Sequence, residues 1–153
     1  MVDVVDKATR SRMMAGIKGK NTWPELALRY RLHAAGLRYR LHRRQLPGTP
    51  DLVFPKFGCV IFVHGCFWHW HECRYSKIPA TRRMFWIEKL GANRERDRKA
   101  VAQLIASGWR CAIVWECSIR GAANDEKVSR VAGKLARWIR GEKSKFIEIC
   151  GQV

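Results

Sequence analysis

The side chains best suited to chemistry are concentrated in one ten-residue segment, 64–73. This segment holds three of the chain's five histidines and two of its six cysteines, together with three large aromatic residues. Imidazole and thiolate are the usual ligands of zinc, and imidazole also transfers protons near neutral pH. The five residues before it, Cys59–Val63, are apolar and favour a strand. We therefore expect a buried strand that carries a metal-binding or catalytic site at its end.

One histidine and three cysteines could form a closed, tetrahedral zinc site. The local C-x4-H-x-C spacing is not that of a common zinc finger, so buried thiols remain an alternative. His69 or His64 could also replace His71 as the nitrogen ligand. Cys59 and Cys111 lie within predicted strands and are interpreted as core residues. The candidate zinc ligands are Cys66, His71, Cys73 and Cys117.

A strand of alternating arginine and apolar residues is predicted over 37–41, and a hairpin follows around the turn residues Pro55–Gly58. If this turn lies at its centre, Phe54 pairs with Ile61 and Asp51 pairs with His64. Directly opposed residues of an antiparallel pair project to the same face. The sequence therefore predicts a carboxylate beside an imidazole at the open end of the hairpin, which is a catalytic arrangement in outline.

A long helix is predicted over 82–107, with an interruption near Gly91, and Asp97 lies on its apolar stripe. A carboxylate among apolar neighbours needs a partner. That partner is either a nearby arginine, such as Arg94 or Arg98, or a histidine or metal-bound water that Asp97 would orient. Trp86 on the same helix is either a core residue or an exposed wedge.

Three more elements are expected around this site. A helix over 22–35 begins with Thr22 and Glu25 in the pattern of a capping box, which gives Glu25 a structural role beside any catalytic one. A buried strand over 109–115 is expected to lie parallel to Cys59–Val63, which brings Cys117 beside Cys66. A helix over 125–140 has a basic stripe beside its apolar one, formed by Lys127, Arg130, Lys134 and Arg137.

The net charge of the chain indicates what class of molecule it binds. Thirty Lys and Arg residues against thirteen Asp and Glu give a net charge of +17 and a pI near 10.4. A field of this size favours a polyanion such as nucleic acid, and a cationic solubility coat is the alternative. We expect one domain, 1–153, with a basic arm or helix over 1–20 and a C-terminal tail over 142–153. DNA contacts in the arm are assigned to Lys7, Arg10 and Met14, and an amphipathic helix packed on the domain is the alternative.

No signal peptide or membrane-spanning run is recognised in the sequence, so a cytoplasmic location is expected. In that compartment the six cysteines are thiols or metal ligands rather than disulfides.

Six segments of the chain closely resemble the very short patch repair endonucleases, the Vsr family. They extend over nearly the whole chain, and the His-Gly-Cys-Phe-Trp-His run with the later Trp-Glu-Cys is the most specific part. The matching segments are 6–11, Leu46-Pro47-Gly48-Thr49-Pro50-Asp51, 59–69, Pro79-Ala80-Thr81-Arg82, Glu95-Arg96-Asp97-Arg98 and Val114-Trp115-Glu116-Cys117.

The resemblance implies an α/β, restriction-endonuclease-like core of the PD-(D/E)XK type, with a central mixed sheet flanked by helices and a structural zinc. It also implies a monomeric bacterial nickase that acts in the nucleoid. That enzyme cuts the T-containing strand beside a T:G mismatch left by deamination of 5-methylcytosine, with other mismatch-repair proteins as further partners.

The resemblance also implies roles for individual residues. Mg2+ is held by Asp51 and the backbone carbonyl of Val63, and Zn2+ by the four candidate ligands above. His69 and Asp97 act on the attacking water as base and partner, and His64 and Glu25 occupy further active-site positions. The residues that intercalate beside the mismatch are Phe67, Trp68 and Trp86.

This chain departs from the family pattern at two positions. Val63 stands where better-known members have threonine, and Trp70 replaces a histidine. The acidic residue and lysine of restriction-type sites are also absent, so His64 and His69 are expected to handle the protons. Two other functions remain open: a non-catalytic zinc-stabilised DNA-binding module, which leaves Asp51 and the histidines without a role, and a less selective nuclease.

Overall fold

A computed structural model describes residues 6–9, 20–121 and 123–151. One mixed sheet of five strands lies at the centre, in the order β1-β2-β3-β4-β5. The pairs β1–β2 and β2–β3 are antiparallel, whereas β3–β4 and β4–β5 are parallel. The strands are β1 (Arg40–Leu41), β2 (Leu52–Phe54), β3 (Cys59–His64), β4 (Arg110–Trp115) and β5 (Phe146–Ile149), and the helices are α1 (Trp23–Ala34), α2 (Arg83–Ala106) and α3 (Asn124–Gly141).

Both faces of the sheet are covered, which explains why β3 and β4 are nearly continuous apolar runs. Alternate residues of β3 enter different clusters. Cys59 and Ile61 pack with the buried faces of α1 and α3, while Val60 and Phe62 pack with Leu104 of α2. The predicted α/β class with a central mixed sheet and flanking helices is confirmed.

The parallel pairing of β3 and β4 brings the ends of both strands to one edge of the sheet. Its register places His64 opposite Trp115. The residues that follow each strand therefore meet at this edge, as the strand–helix–strand pattern predicted. The C-terminal end of β5 reaches the same edge, because Ile149 pairs with Val114.

Three expectations about the elements are wrong. Residues 142–153 were expected to form a tail, but Phe146–Ile149 form β5 at the edge of the sheet. The helix α2 continues through Gly91, where an interruption was expected. The strand expected over 37–41 shortens to Arg40–Leu41. No helix in the described part of the chain is long and apolar enough to cross a membrane.

Candidate active site

Asp51 lies immediately before β2 and is held by the neighbouring strand. Its Oδ2 accepts a hydrogen bond of 2.7 Å from the backbone N–H of Val63. Burial raises the pKa of Asp51 to about 6, against the lowering effect of that hydrogen bond, and the nearby Glu25 raises it further. A desolvated carboxylate with too little compensating positive charge is a favourable ligand for a cation.

The hairpin register differs from the expected one by two residues. Phe54 pairs with Cys59, not with Ile61. The turn is tighter because residues 55–57 form a 3-10 turn and Gly58 takes the left-handed conformation, with φ of 65°. As a result Asp51 lies beside the amide of Val63 instead of directly opposite His64.

A second carboxylate, Glu25, approaches Asp51 through a histidine. Glu25 is 1% exposed, and its Oε1 lies 2.6 Å from Nε2 of His42. The same nitrogen lies 3.9 Å from Oδ1 of Asp51. The ligand atoms of Glu25, His42 and Asp51 lie within 4.8 Å of one another, close enough to hold a metal ion. Carboxylate oxygens fit Mg2+, whereas the His42 nitrogen is a poor ligand for it.

Glu25 does not complete the expected capping box. Its Oε2 accepts a hydrogen bond of 2.9 Å from the backbone N–H of Asn21, and Thr22 makes no side-chain cap. Its other oxygen also pairs with Arg29 at 3.2 Å. Glu25 therefore joins the start of α1 to Asp51 through His42, a residue that the sequence did not single out.

The imidazoles of His64 and His69 stack face to face, with ring centroids 3.7 Å apart and planes 2° apart. Nδ1 of His69 lies 2.6 Å from Oδ2 of Asp97 on α2. If Nδ1 carries the proton of this bond, Nε2 of His69 keeps its lone pair and can accept a proton. His69 is close enough to Asp51 to lower the pKa of that carboxyl, so both groups belong to one site.

His64 is 4% exposed, and burial holds its pKa well below the usual value. Its Nδ1 has no hydrogen-bond partner among the residues that the structure describes. The neutral ring is fixed by packing, with Trp115 in an edge contact at 5.2 Å. A cleft of about 690 Å3 opens beside it, lined by His69, Asp97 and Glu148 among others.

The four candidate zinc ligands come together beyond the ends of β3 and β4, with donor atoms within 4.8 Å of one another. Cys117 links the two strands, because its N–H donates to Sγ of Cys66 at 3.4 Å and its Sγ lies 3.6 Å from Nδ1 of His71. Burial raises the pKa of the thiols of both cysteines, so a cation is needed to hold them as thiolates. This donor set fits zinc.

Two further contacts shape this group of four candidate zinc ligands (Cys66, His71, Cys73 and Cys117), which we call the zinc cluster. The His71 ring stacks on Trp115 at 4.3 Å, which fixes its orientation. Gly151 donates its N–H to Sγ of Cys117 at 3.3 Å. A Cβ at Gly151 would lie 2.4 Å from the Cys117 carbonyl oxygen, so only glycine permits this approach. Cys59 and Cys111 are fully buried in the sheet, as expected of core residues.

An aromatic cluster stands beside the histidines. Phe67 lies 5.0 Å from Trp68 and 5.3 Å from Trp86, and the two tryptophans are 6.0 Å apart, measured between ring centroids. The first turn of α2 adds Phe85, whose ring centroid lies 5.3 Å from that of Trp86; Phe85 is 39% exposed and the preceding Met84 is 68% exposed. These last two were missed, although apolar residues at the start of a largely polar helix could have indicated them.

Trp70, one of the two departures from the family pattern, is a packing residue. A Cβ at Gly91 would lie 3.4 Å from its ring, and the guanidinium of Arg94 lies 5.7 Å from its centroid. The Trp70 ring therefore lies against α2 beside Gly91, and α2 is not interrupted there.

Part of the predicted DNA contact region lies at the N-terminus. Lys7 is exposed in a short helical segment, where Oδ1 of Asp6 accepts a hydrogen bond of 2.8 Å from the N–H of Thr9. Arg10 and Met14 lie outside the described residues.

Comparison with known proteins identifies the family. The sequence profile described as DNA mismatch endonuclease Vsr matches residues 2–75. The chain is 48% identical over 144 residues to the DNA mismatch endonuclease Vsr of Escherichia coli strain K12, covering 93% of this chain and 90% of that protein. The chain belongs to the Vsr family of DNA mismatch endonucleases.

Two further relatives are described as type II nicking enzymes. V.XorIIP of Xanthomonas oryzae is 50% identical over 119 residues, which cover 78% of this chain and 88% of that protein. V.NmeAIP of Neisseria meningitidis is 39% identical over 123 residues, which cover 80% of this chain and 88% of that protein.

Proposed function

We propose that this protein is an endodeoxyribonuclease that nicks the T-containing strand of duplex DNA beside a T:G mismatch, using Mg2+. The observation that carries the proposal is the grouping of a desolvated Asp51 with the stacked pair His64 and His69, the latter bonded to Asp97. Family membership supports mismatched DNA as the substrate. Deamination of 5-methylcytosine would supply this mismatch, and the nick would begin short-patch repair.

Asp51 and the backbone carbonyl of Val63 would hold the magnesium ion, which when bound stabilises charge on the phosphate. Nε2 of His69 takes a proton from a water molecule as the oxygen of that water attacks phosphorus. Asp97 stabilises the resulting imidazolium through Nδ1. The P–O3′ bond breaks, which leaves a 5′-phosphate and a 3′-hydroxyl once the leaving oxygen is protonated. His64 stays neutral and holds the His69 ring in place by stacking.

The zinc cluster would act as a structural clamp. The four protein donors leave no open coordination position for a substrate, which supports a structural role. It would fix the loop that carries His69 to the end of β4. The fold we propose is of the restriction-endonuclease type, supported by the hairpin that places Asp51 next to β3. A monomeric state and contacts with other mismatch-repair proteins stay predictions.

Nicking of a labelled duplex with one T:G mismatch in a cytosine-methylation context, against the matched duplex, tests the proposal. The expected result is one Mg2+-dependent cut on the T strand, absent with Asp51→Ala and with the matched duplex. Tight binding without a cut would overturn the enzymatic function in favour of a DNA-binding module. Equal cutting of both duplexes would overturn the mismatch specificity.

A further inference from the structure

A second cleft, of about 550 Å3, lies on the side of the zinc cluster that faces α3. It is walled by α3, by the segment after β4 and by the residues that follow β5. No carboxylate is among its lining residues. We call it the cationic groove, after its five positively charged lining residues Arg74, Arg120, Lys127, Arg130 and Lys134.

The helix α3 supplies a row of these charges. Residues 127, 130 and 134 are spaced by three and four positions, which places them on one side of the helix. The adjacent stripe, which includes Val131 and Leu135, is buried against the sheet, so the cations face outwards. Arg130 and Lys134 are exposed and make no ion pair with any carboxylate in the described ranges.

The opposite wall is held in place by packing. The guanidinium groups of Arg74 and Arg120 lie 5.3 and 4.4 Å from the ring centroid of Tyr75. Nζ of Lys127 donates to the carbonyl oxygen of Arg120 at 3.0 Å. Among the five cations of the groove, only Arg120 has a carboxylate partner within the described residues, Glu116 at 3.0 Å. Such unbalanced positive charge raises the free energy of the isolated protein and favours an anionic ligand.

The groove continues the edge of the sheet that carries the catalytic residues. The strands β3, β4 and β5 are parallel, so their C-terminal ends share that edge. The catalytic histidines follow β3, the zinc cluster joins β3 to β4, and the groove lies between the ends of β4 and β5. A polyanion that crosses the catalytic centre can therefore extend into the groove.

From this placement we infer that the cationic groove binds backbone phosphates of the DNA duplex that flanks the nicked site. This inference rests on the proposed function, since it extends the path of the same DNA. The seven helical steps from Lys127 to Lys134 span about 10 Å of helix. One DNA strand presents a phosphate about every 3.4 Å along the duplex axis, so this row can meet more than one phosphate. Contacts of this kind position the duplex without reading its bases.

The test is the salt dependence of duplex binding by the double variant Arg130→Gln/Lys134→Gln. Binding is measured in the Asp51→Ala background, with mismatched and matched duplexes that extend on both sides of the site. Each lost phosphate contact reduces the log–log salt slope by about 0.9. We expect the slope to become less negative by about 1.8, equally for both duplexes. Between about 50 and 200 mM salt, the parent protein should then lose about 12-fold more affinity than the variant.

Lys143→Gln/Lys145→Gln is the matched control. Both residues are exposed and precede β5, at the opposite edge of the sheet, and the change in net charge is the same. The control should keep the parent slope. An unchanged slope for the groove variant, or an equal change in the control, would overturn the inference. Equal melting temperatures verify that both variants fold.

The alkylation rate of Cys150 gives a second measurement, which requires no change in the charge of the protein. Cys150 is the exposed cysteine of the groove lining. Long duplex DNA should slow its alkylation several-fold at low salt, and a duplex truncated just beyond the mismatch should slow it less. Equal alkylation rates with and without the long duplex would count against the groove. If duplex DNA protects Cys150 and the groove variant changes the salt slope, but the parent protein nicks no duplex, the proposed function fails while the groove stands. Normal nicking with neither effect would overturn the groove and leave the proposed function intact.

Discussion

Nδ1 of His69 lies 2.6 Å from Oδ2 of Asp97, which joins the loop after β3 to the middle of α2. The proposed base must hold a fixed geometry relative to its substrate, and this bond would fix which ring nitrogen of His69 faces the attacking water. The loop alone would not hold the ring, because it is an irregular connection between β3 and α2.

Asp97→Asn is therefore expected to lower the single-turnover nicking rate by about 10²–10⁴-fold, because the imidazolium formed by proton transfer loses its counter-charge. The dissociation constant for mismatched DNA should change little. Glu88→Gln on the same helix is the control, since Glu88 is exposed, and it should nick normally. A loss that appears only in DNA affinity would contradict the positioning role of Asp97.

Asp51 should make the stability of the metal-free protein depend on pH. Its pKa in the folded protein is about 6, above the ordinary value of about 3.8 for an aspartate. The carboxyl therefore contributes stability below about pH 4 that is lost as pH rises through about 6. Asp51→Asn keeps an acceptor for the Val63 amide and should stabilise the protein at pH 8 by about 2–3 kcal/mol, with little gain at pH 4.

Denaturant unfolding at both pH values checks this prediction. Mg2+ should stabilise the parent protein at pH 8 and leave Asp51→Asn unaffected, because the ion binds the native carboxylate. If the variant is less stable than the parent at pH 8, the carboxylate is compensated by neighbours such as His42 and the prediction is wrong.

Val63 acts through its backbone. Its N–H holds Asp51, and its side chain packs against the apolar cluster that contains Ile61. Val63→Thr is expected to change the Mg2+ concentration for half-maximal nicking by less than about two-fold, with a stability cost of about 1 kcal/mol from the semi-buried hydroxyl. Mg2+ titration of the nicking rate tests this. A large gain in Mg2+ affinity would show that the hydroxyl reaches the ion.

The elements that deliver the site could be predicted because their signals are local. The apolar runs of β3 and β4 and the periodicity of α2 placed His64, Asp97 and Cys117 at one edge of a sheet. The hairpin register could not be predicted, because it depends on the backbone conformation of the turn, where Gly58 adopts positive φ.

His42 and β5 depend on long-range contacts. His42 follows a strand of two residues and adopts φ of 45°, and only the meeting of α1 with the hairpin brings it between Glu25 and Asp51. Residues 146–149 contain one polar residue among three apolar ones, which over four residues is a weak signal, and their strand depends on its pairing with β4. Neither the position of His42 nor the strand β5 could be predicted without the tertiary structure.

Removal of the metal from the zinc cluster should destabilise the whole domain. One zinc per chain is expected by elemental analysis, with Cys66 and Cys117 as thiolates when it is bound. A strong chelator, or Cys117→Ser, should lower the melting temperature by about 5–10 °C, equivalent to a loss of a few kcal/mol in a domain of this size. Cys150→Ser is the control, because this exposed thiol lies outside the cluster. Full stability after complete zinc removal would show that the four residues are buried thiols.

The aromatic cluster should determine how well the protein distinguishes a mismatch. A mispaired step costs less to unstack, so a wedge that inserts there gains more from mismatched than from matched DNA. Nζ of Lys89 lies 5.6 Å from the Trp68 ring and 5.7 Å from the Trp86 ring, which places a positive charge where the phosphate backbone would pass.

Trp68→Ala is expected to weaken binding of T:G duplex by about 1–3 kcal/mol and to leave binding of matched duplex nearly unchanged, because a stacking surface is lost only where bases part. Trp23→Ala provides the comparison, since Trp23 is 46% exposed on α1 and is not part of the cluster. Fluorescence of a base analogue beside the mismatch reports unstacking directly. An equal loss of affinity for both duplexes would assign Trp68 to general DNA binding and remove it from mismatch recognition.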